Sequence, residues 1–207
     1  DIGCHTLDIP KYVMGLGYPS SVRVDPSINF RGEVDDRKPK RGAGTYVYEF
    51  DGPGGASPVT VYWYEGGHLP RFSESLKANH SIKLEGGCLM MGSKNTLYSP
   101  GMRPSSPRLV QDWDQLRRAL PPKTTPRAVG DPVAEILAAI RGEIPHCGSH
   151  FDYAVPLTET VILGTIAVRS GKTVKYLPDE MSFTDPSLNP YIKEPVRAGW
   201  EYGESLA

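Results

Sequence analysis

Thr45-Tyr46-Val47-Tyr48-Glu49-Phe50 and Val59-Thr60-Val61-Tyr62-Trp63-Tyr64 are the two stretches whose reading decides the fold. Both are dense in β-branched and aromatic residues, which suit a pleated and partly buried surface, so both read as strands. Asp51-Gly52-Pro53-Gly54-Gly55 between them is longer than a tight turn but compatible with an antiparallel pair. Successive strand residues point to opposite faces, so Tyr46 and Tyr48 share one face, and Tyr62 and Tyr64 share the face opposite Trp63. Such an aromatic row suits sheet packing or a subunit interface better than a platform for sugar rings.

Working outward, Ser20 to Asp25 alternates through Val22 and Val24 as a short strand. Cys88-Leu89-Met90-Met91 and Asn95-Thr96-Leu97-Tyr98 form another candidate pair joined through Gly92-Ser93-Lys94, and Thr173-Val174-Lys175-Tyr176 returns to strand. Residues Arg31 to Arg41 are charged, contain Pro39 and read as a loop. Helices flank the strands. The first is predicted over Gly3 to Gly15, with Leu7, Val13 and Met14 as apolar positions, a kink at Pro10 and a stop at Gly15 or Gly17. Gln111 to Leu120 is short and amphipathic, and the breaker stretch Pro121 to Arg127 follows it. Asp131 is predicted to cap a helix with Pro132 at its first position and Val133, Ile136, Leu137 and Ile140 on its apolar face. A largely buried helix is predicted over Tyr153 to Arg169, capped by Asp152 and ended by Gly171. A block of strands with helices before and after predicts an α+β fold, an open, mostly antiparallel sheet with helices packed on one face, over a single domain of residues 1 to 207.

Composition narrows the function classes. Lys and Arg number 23 against 24 Asp and Glu, which gives no electrostatic footprint for nucleic acid or an anionic membrane. No uninterrupted apolar run approaches the roughly 20 residues that span a bilayer, so a soluble chain without nucleic-acid or membrane partners is expected. Glycine (22) and proline (20) suit a sheet with long excursions better than a helical bundle. Cys4, Cys88 and Cys147 lack a disulfide framework spacing. With His5 and His150 they supply zinc-type atoms, but Cys4 and His5 are adjacent and no second pair completes a tetrahedral set, so no metal is expected. No glycine-rich phosphate loop follows a strand, so no dinucleotide fold and no cofactor-binding residues are expected here.

The chemistry sits at the start of the chain. In a helix, Asp1 and His5 of Asp1-Ile2-Gly3-Cys4-His5-Thr6-Leu7-Asp8 lie one turn apart, with Asp8 beside them. An imidazole held by a carboxylate passes a proton near neutral pH, which oxidation of an alcohol requires. The plain alternative is an acidic helix N-terminus favoured by the dipole. His68, on the Glu65-Gly66-Gly67-His68 loop after the second strand, is either a ligand contact or part of a solvated turn. Glu159 is an ionisable group in an otherwise apolar helix and needs a partner, either structural or substrate.

The opening Asp1 to Pro10 segment resembles the Gfo/Idh/MocA family of nicotinamide-dependent oxidoreductases, specifically its C-terminal domain. So do Pro121-Pro122-Lys123-Thr124 with Pro126-Arg127, Gly148-Ser149-His150-Phe151-Asp152-Tyr153-Ala154 with Pro156-Leu157-Thr158-Glu159, and the closing Ser182-Phe183-Thr184 and Gly199-Trp200. The likeness runs from end to end. It implies a two-domain enzyme whose Rossmann half binds NAD or NADP and contributes a lysine, with this chain as the substrate-binding and oligomerisation half, inactive and cofactor-free by itself. By that likeness Asp1 and His5 would be catalytic and Asp8 would follow at the pattern's next acidic position, while His68, His150, Asp152 and Glu159 join Asp8 as the candidate substrate contacts. His150 stands where the family pattern has Asn. The implied partners are a sugar, polyol or sugar derivative and further copies of the chain, paired through the sheet. Two other readings are carried forward: an NAD-dependent glycoside hydrolase of the same superfamily, and a non-catalytic dimerisation or sugar-binding module.

Overall fold

A computed structural model describes residues 2–24, 44–65, 86–102, 106–125, 128, 130–193 and 196–200. Asp1, His68, the 31–41 loop, Pro126 and Arg127 lie outside the described residues. The described chain is α+β with small open antiparallel sheets and several helices.

Strand β1 (Ser21–Val24), β2 (Gly44–Phe50) and β3 (Val59–Glu65) form one sheet in that order, both pairs antiparallel. Tyr46 lies opposite Val24 and Trp63, and Tyr48 opposite Val22 and Val61. Directly paired residues share a face, so the strand alternation gathers Val22, Val24, Tyr46, Tyr48, Phe50, Val59, Val61 and Trp63 onto the core side. Tyr62 and Tyr64 stack on the other side with ring centroids 6.4 Å apart. Val174 continues the sheet beyond β1 through a single bridge, in which Val22 and Val174 exchange both N–H···O bonds at 2.8 and 2.7 Å.

The expected single open sheet is divided. β4 (Gly87–Met91), β5 (Thr96–Pro100) and β6 (Arg108–Leu109) make a second antiparallel sheet, and β7 (Tyr176–Leu177) pairs with β8 (Ser182–Phe183) in a third. The strand expected over 173–176 is reduced to the Val174 bridge and the start of β7.

The N-terminal helix is observed as α1 (Gly3–Thr6) and α2 (Asp8–Met14), with Leu7 between them still helical at φ −71° and ψ −20°. Proline has no N–H, so Pro10 leaves the Thr6 carbonyl without its helical partner, and the interruption falls there. Gly15 ends the helix in the left-handed conformation that favours glycine, its N–H bonded to the Lys11 carbonyl. Leu7, Ile9 and Leu16 are buried, whereas Val13, expected on the apolar face, is exposed. α3 (Trp113–Leu116) continues as a 3₁₀ turn over Arg117–Ala119 and is shorter than expected.

α4 (Pro132–Ile140) begins as expected, with Asp131 Oδ1 accepting the Val133 and Ala134 amides at 2.9 Å each. Val133, Ile136, Leu137 and Ile140 are all exposed, and Ala138 is the buried residue of the helix.

α5 (Phe151–Ser170) carries the core. Its cap is a correction. His150 takes the extended conformation and its carbonyl accepts the Tyr153 and Ala154 amides, which puts Asp152 inside the first turn with its side chain in solvent. By length and composition α5 could cross a membrane. Instead, Leu157, Thr160, Leu163, Gly164 and Ala167 recur at helical spacing and are buried, with Leu157, Leu163, Ile166 and Ala167 in the core shared with the β1–β3 sheet.

Candidate functional site

Helical spacing from α1 into α2 puts His5, Asp8 and Tyr12 on one face. His5 is exposed and Asp8 half-buried. Asp8 Oδ1 accepts a hydrogen bond from the Tyr153 hydroxyl, which reaches it from the first turn of α5. The Tyr12 ring meets the Tyr153 ring edge-on at 5.9 Å between centroids. On the other side the His150 ring lies 6.5 Å from Tyr153, and the His146 ring lies 4.0 Å from His150. Burial, and then the hydrogen bond and charge of Asp8, hold the Tyr153 phenol above its ordinary pKa, so it stays a neutral donor across the physiological range. The loop that supplies the histidines is tied to α4, where Glu135 Oε2 accepts the Gly148 amide at 3.0 Å.

The structure therefore bonds Asp8, a candidate named from sequence, to Tyr153, which was not among them, and places the ring of a second candidate, His150, 6.5 Å from the Tyr153 ring. His5 stands on the same helical face as Asp8. Asp152 is solvent-exposed, with an oxygen 4.0 Å from His150 Nδ1. Asp1 and His68 lie outside the described residues.

Glu159 belongs to a different group. Its carboxylate accepts hydrogen bonds from Tyr18 and from Tyr176, the latter at 3.3 Å. One helical side chain thus ties the segment before β1 to β7. Burial and then Glu159 raise the Tyr18 phenol above its ordinary pKa, and burial with the Glu159 charge does the same at Tyr176. Lys11, buried beneath its own helix end, bonds the Gly17 carbonyl at 2.6 Å and faces the Tyr18 ring. The structural reading of Glu159 accounts for its half-buried place in an apolar helix, since both of its observed partners are phenols of this chain.

Tyr12, Tyr153, His146 and Glu135 escaped the sequence reading. Tyr12 was within reach of it, because it extends the Asp1, His5, Asp8 spacing by one more turn. Tyr153 was not, because its importance rests on a contact with a residue 145 positions away.

Among the described residues no group of three or more His, Cys, Asp or Glu side chains converges to hold a metal ion, and the three cysteines are free. The described residues do not fit a nicotinamide dinucleotide either. All their strand pairs are antiparallel, so they contain no strand, phosphate loop and helix unit of the kind that cradles a pyrophosphate. Comparison with known protein families, with characterised proteins and with solved structures finds no match.

Proposed function

We propose that this chain is the substrate-binding and subunit-pairing part of a nicotinamide-dependent oxidoreductase acting on a sugar, polyol or sugar derivative. The observation that supports this best is an exposed imidazole, His5, on the same helical face as a carboxylate, Asp8, that Tyr153 already holds in place. In this reading His5 takes the proton from a substrate hydroxyl as the carbon beneath is oxidised, with Asp1 orienting the imidazole or the substrate. Asp8 and His150 bind further hydroxyls. NAD or NADP is held by a separate Rossmann half. Subunits pair through the outward face of the β1–β3 sheet, where Tyr62 and Tyr64 stack and Tyr62 is half exposed.

The test is turnover by the complete protein on a panel of hexoses, alditols and aryl glycosides, each with NAD and with NADP. Net formation of reduced nicotinamide from a sugar or alditol supports the oxidoreductase. Release of the aryl alcohol without net reduced nicotinamide assigns the protein to the glycoside hydrolases instead. No turnover on any member contradicts both enzymatic readings.

A further inference from the structure

A carboxylate offers about four lone-pair sites over its two oxygens. Asp8 gives one of them to the Tyr153 hydroxyl at Oδ1. That bond joins α2 to the first turn of α5, so the orientation of the carboxylate is set by a rigid helix pair rather than by a mobile side chain. Tyr12 stands beside it with its ring edge-on to Tyr153 and 61% exposed. A tyrosine ring is a rigid amphipathic surface that loses little entropy on binding, and its face suits the apolar C–H side of a pyranose or an alditol chain. An oriented carboxylate beside an exposed aromatic ring thus combines the two elements that polyhydroxy ligands require, a fixed acceptor for hydroxyls and a flat apolar wall.

We propose that Tyr153 is a positioning residue for substrate recognition: its hydroxyl fixes Asp8 so that the carboxylate accepts a hydroxyl of a pyranose or alditol lying along the Tyr12 ring. This rests on the reading that the His5 and Asp8 face receives the substrate, and it adds the residue that aims the carboxylate. Tyr153 touches the carboxylate and acts through it, and the proton transfer belongs to His5.

The experiment uses the complete protein, with D-glucose and D-sorbitol as probes. Binding is followed by titration and turnover by reduced nicotinamide, for wild type, Tyr153→Phe and His5→Ala. Tyr153→Phe keeps the ring and its contact with Tyr12 but removes the hydroxyl. It is expected to weaken binding about tenfold and to raise KM by more than it lowers kcat. A merely structural tie would instead lower the thermal midpoint and leave the binding constant of the folded protein unchanged. Should Tyr153→Phe fail to fold, Tyr153→Leu, which likewise removes the hydroxyl that bonds Asp8, carries the same expectation. Unchanged binding and KM in the folded variants, with kcat lost in His5→Ala, overturns the role of Tyr153 and leaves the functional reading standing. Absence of binding by either probe to wild type, with His5→Ala silent, overturns both.

Discussion

Gly164 stands against the Tyr48 hydroxyl so closely that a Cβ on the glycine would lie 2.2 Å from the phenol oxygen and 3.2 Å from Cζ. The missing side chain lets α5 settle onto the core face of the β1–β3 sheet. Two effects oppose each other in Gly164→Ala. Alanine improves helix propensity by about 1 kcal/mol, while overpacking a filled core costs about 1–3 kcal/mol. Tyr48 is buried and cannot swing into solvent, so the packing penalty wins. Gly164→Ala is expected to destabilise the protein by up to about 2 kcal/mol in a denaturant titration, and adding Tyr48→Phe should recover part of that loss. An unchanged or higher midpoint for the single variant would refute this packing account.

Glu159 provides a second test, because its position in an apolar helix also made it a candidate substrate contact. Its carboxylate instead receives the Tyr18 and Tyr176 hydroxyls. Hydrogen bonds to a charged group are worth about 1.5–3 kcal/mol, so Glu159→Leu should lower stability by at least that much. The folded fraction should keep wild-type affinity for sugars. Wild-type stability with lost affinity would return Glu159 to the substrate.

Alkaline pH should weaken the fold for a related reason. Tyr46 is raised from its ordinary value of 10.0 to about 12 by burial and by Glu65, and Tyr18, Tyr48, Tyr153 and Tyr176 are raised as well. Between the two values for Tyr46 the folded chain keeps a proton that the unfolded chain has lost, so unfolding becomes more favourable as pH rises. The stabilisation from Tyr46 is complete below about pH 10 and is lost progressively towards about pH 12. Lys11, lowered by burial, acts in the opposite sense but is one group against five phenols. Denaturation midpoints measured from pH 9 upward should therefore fall, and the Tyr46→Phe variant should fall less steeply. A flat profile would remove the buried phenols from the account.

Local signals were readable in the sequence and distant ones were not. The alternation of Tyr46, Tyr48, Val61 and Trp63 identified two strands and their faces, because period-two patterning is a property of neighbours. Asp131 before Pro132 identified a helix start for the same reason. Which strands share a sheet depends on pairings between segments, and the strands among the described residues fall into small separate sheets where one was expected. The same limit applies at α4, whose spacing marks an apolar stripe but cannot say whether anything covers it. Of the proposed site, the helical face of His5 and Asp8 was readable from spacing, whereas Tyr153 became visible only when the fold brought α5 to Asp8.

The exposed stripe of α4 yields a contrast between two residues of similar chemistry. Ile140 is 75% exposed and Leu163 is 3% exposed. Ile140→Ser should change stability by less than about 0.5 kcal/mol, whereas Leu163→Ala should cost about 2–5 kcal/mol through lost burial and the cavity left behind. Comparable losses in the two variants would show that α4 is covered in solution.

The most direct test of the central claim is the pH profile of turnover for the complete protein against its His5→Ala variant, on the sugar or alditol that it oxidises best. A proton acceptor at His5 predicts a fall in kcat on the order of 10²–10⁴ at neutral pH. It also predicts that the pH profile of turnover in the variant differs from the wild-type profile. A variant that keeps the wild-type rate and profile would contradict the account and leave the Asp8 and Tyr153 pair a structural tie between two helices.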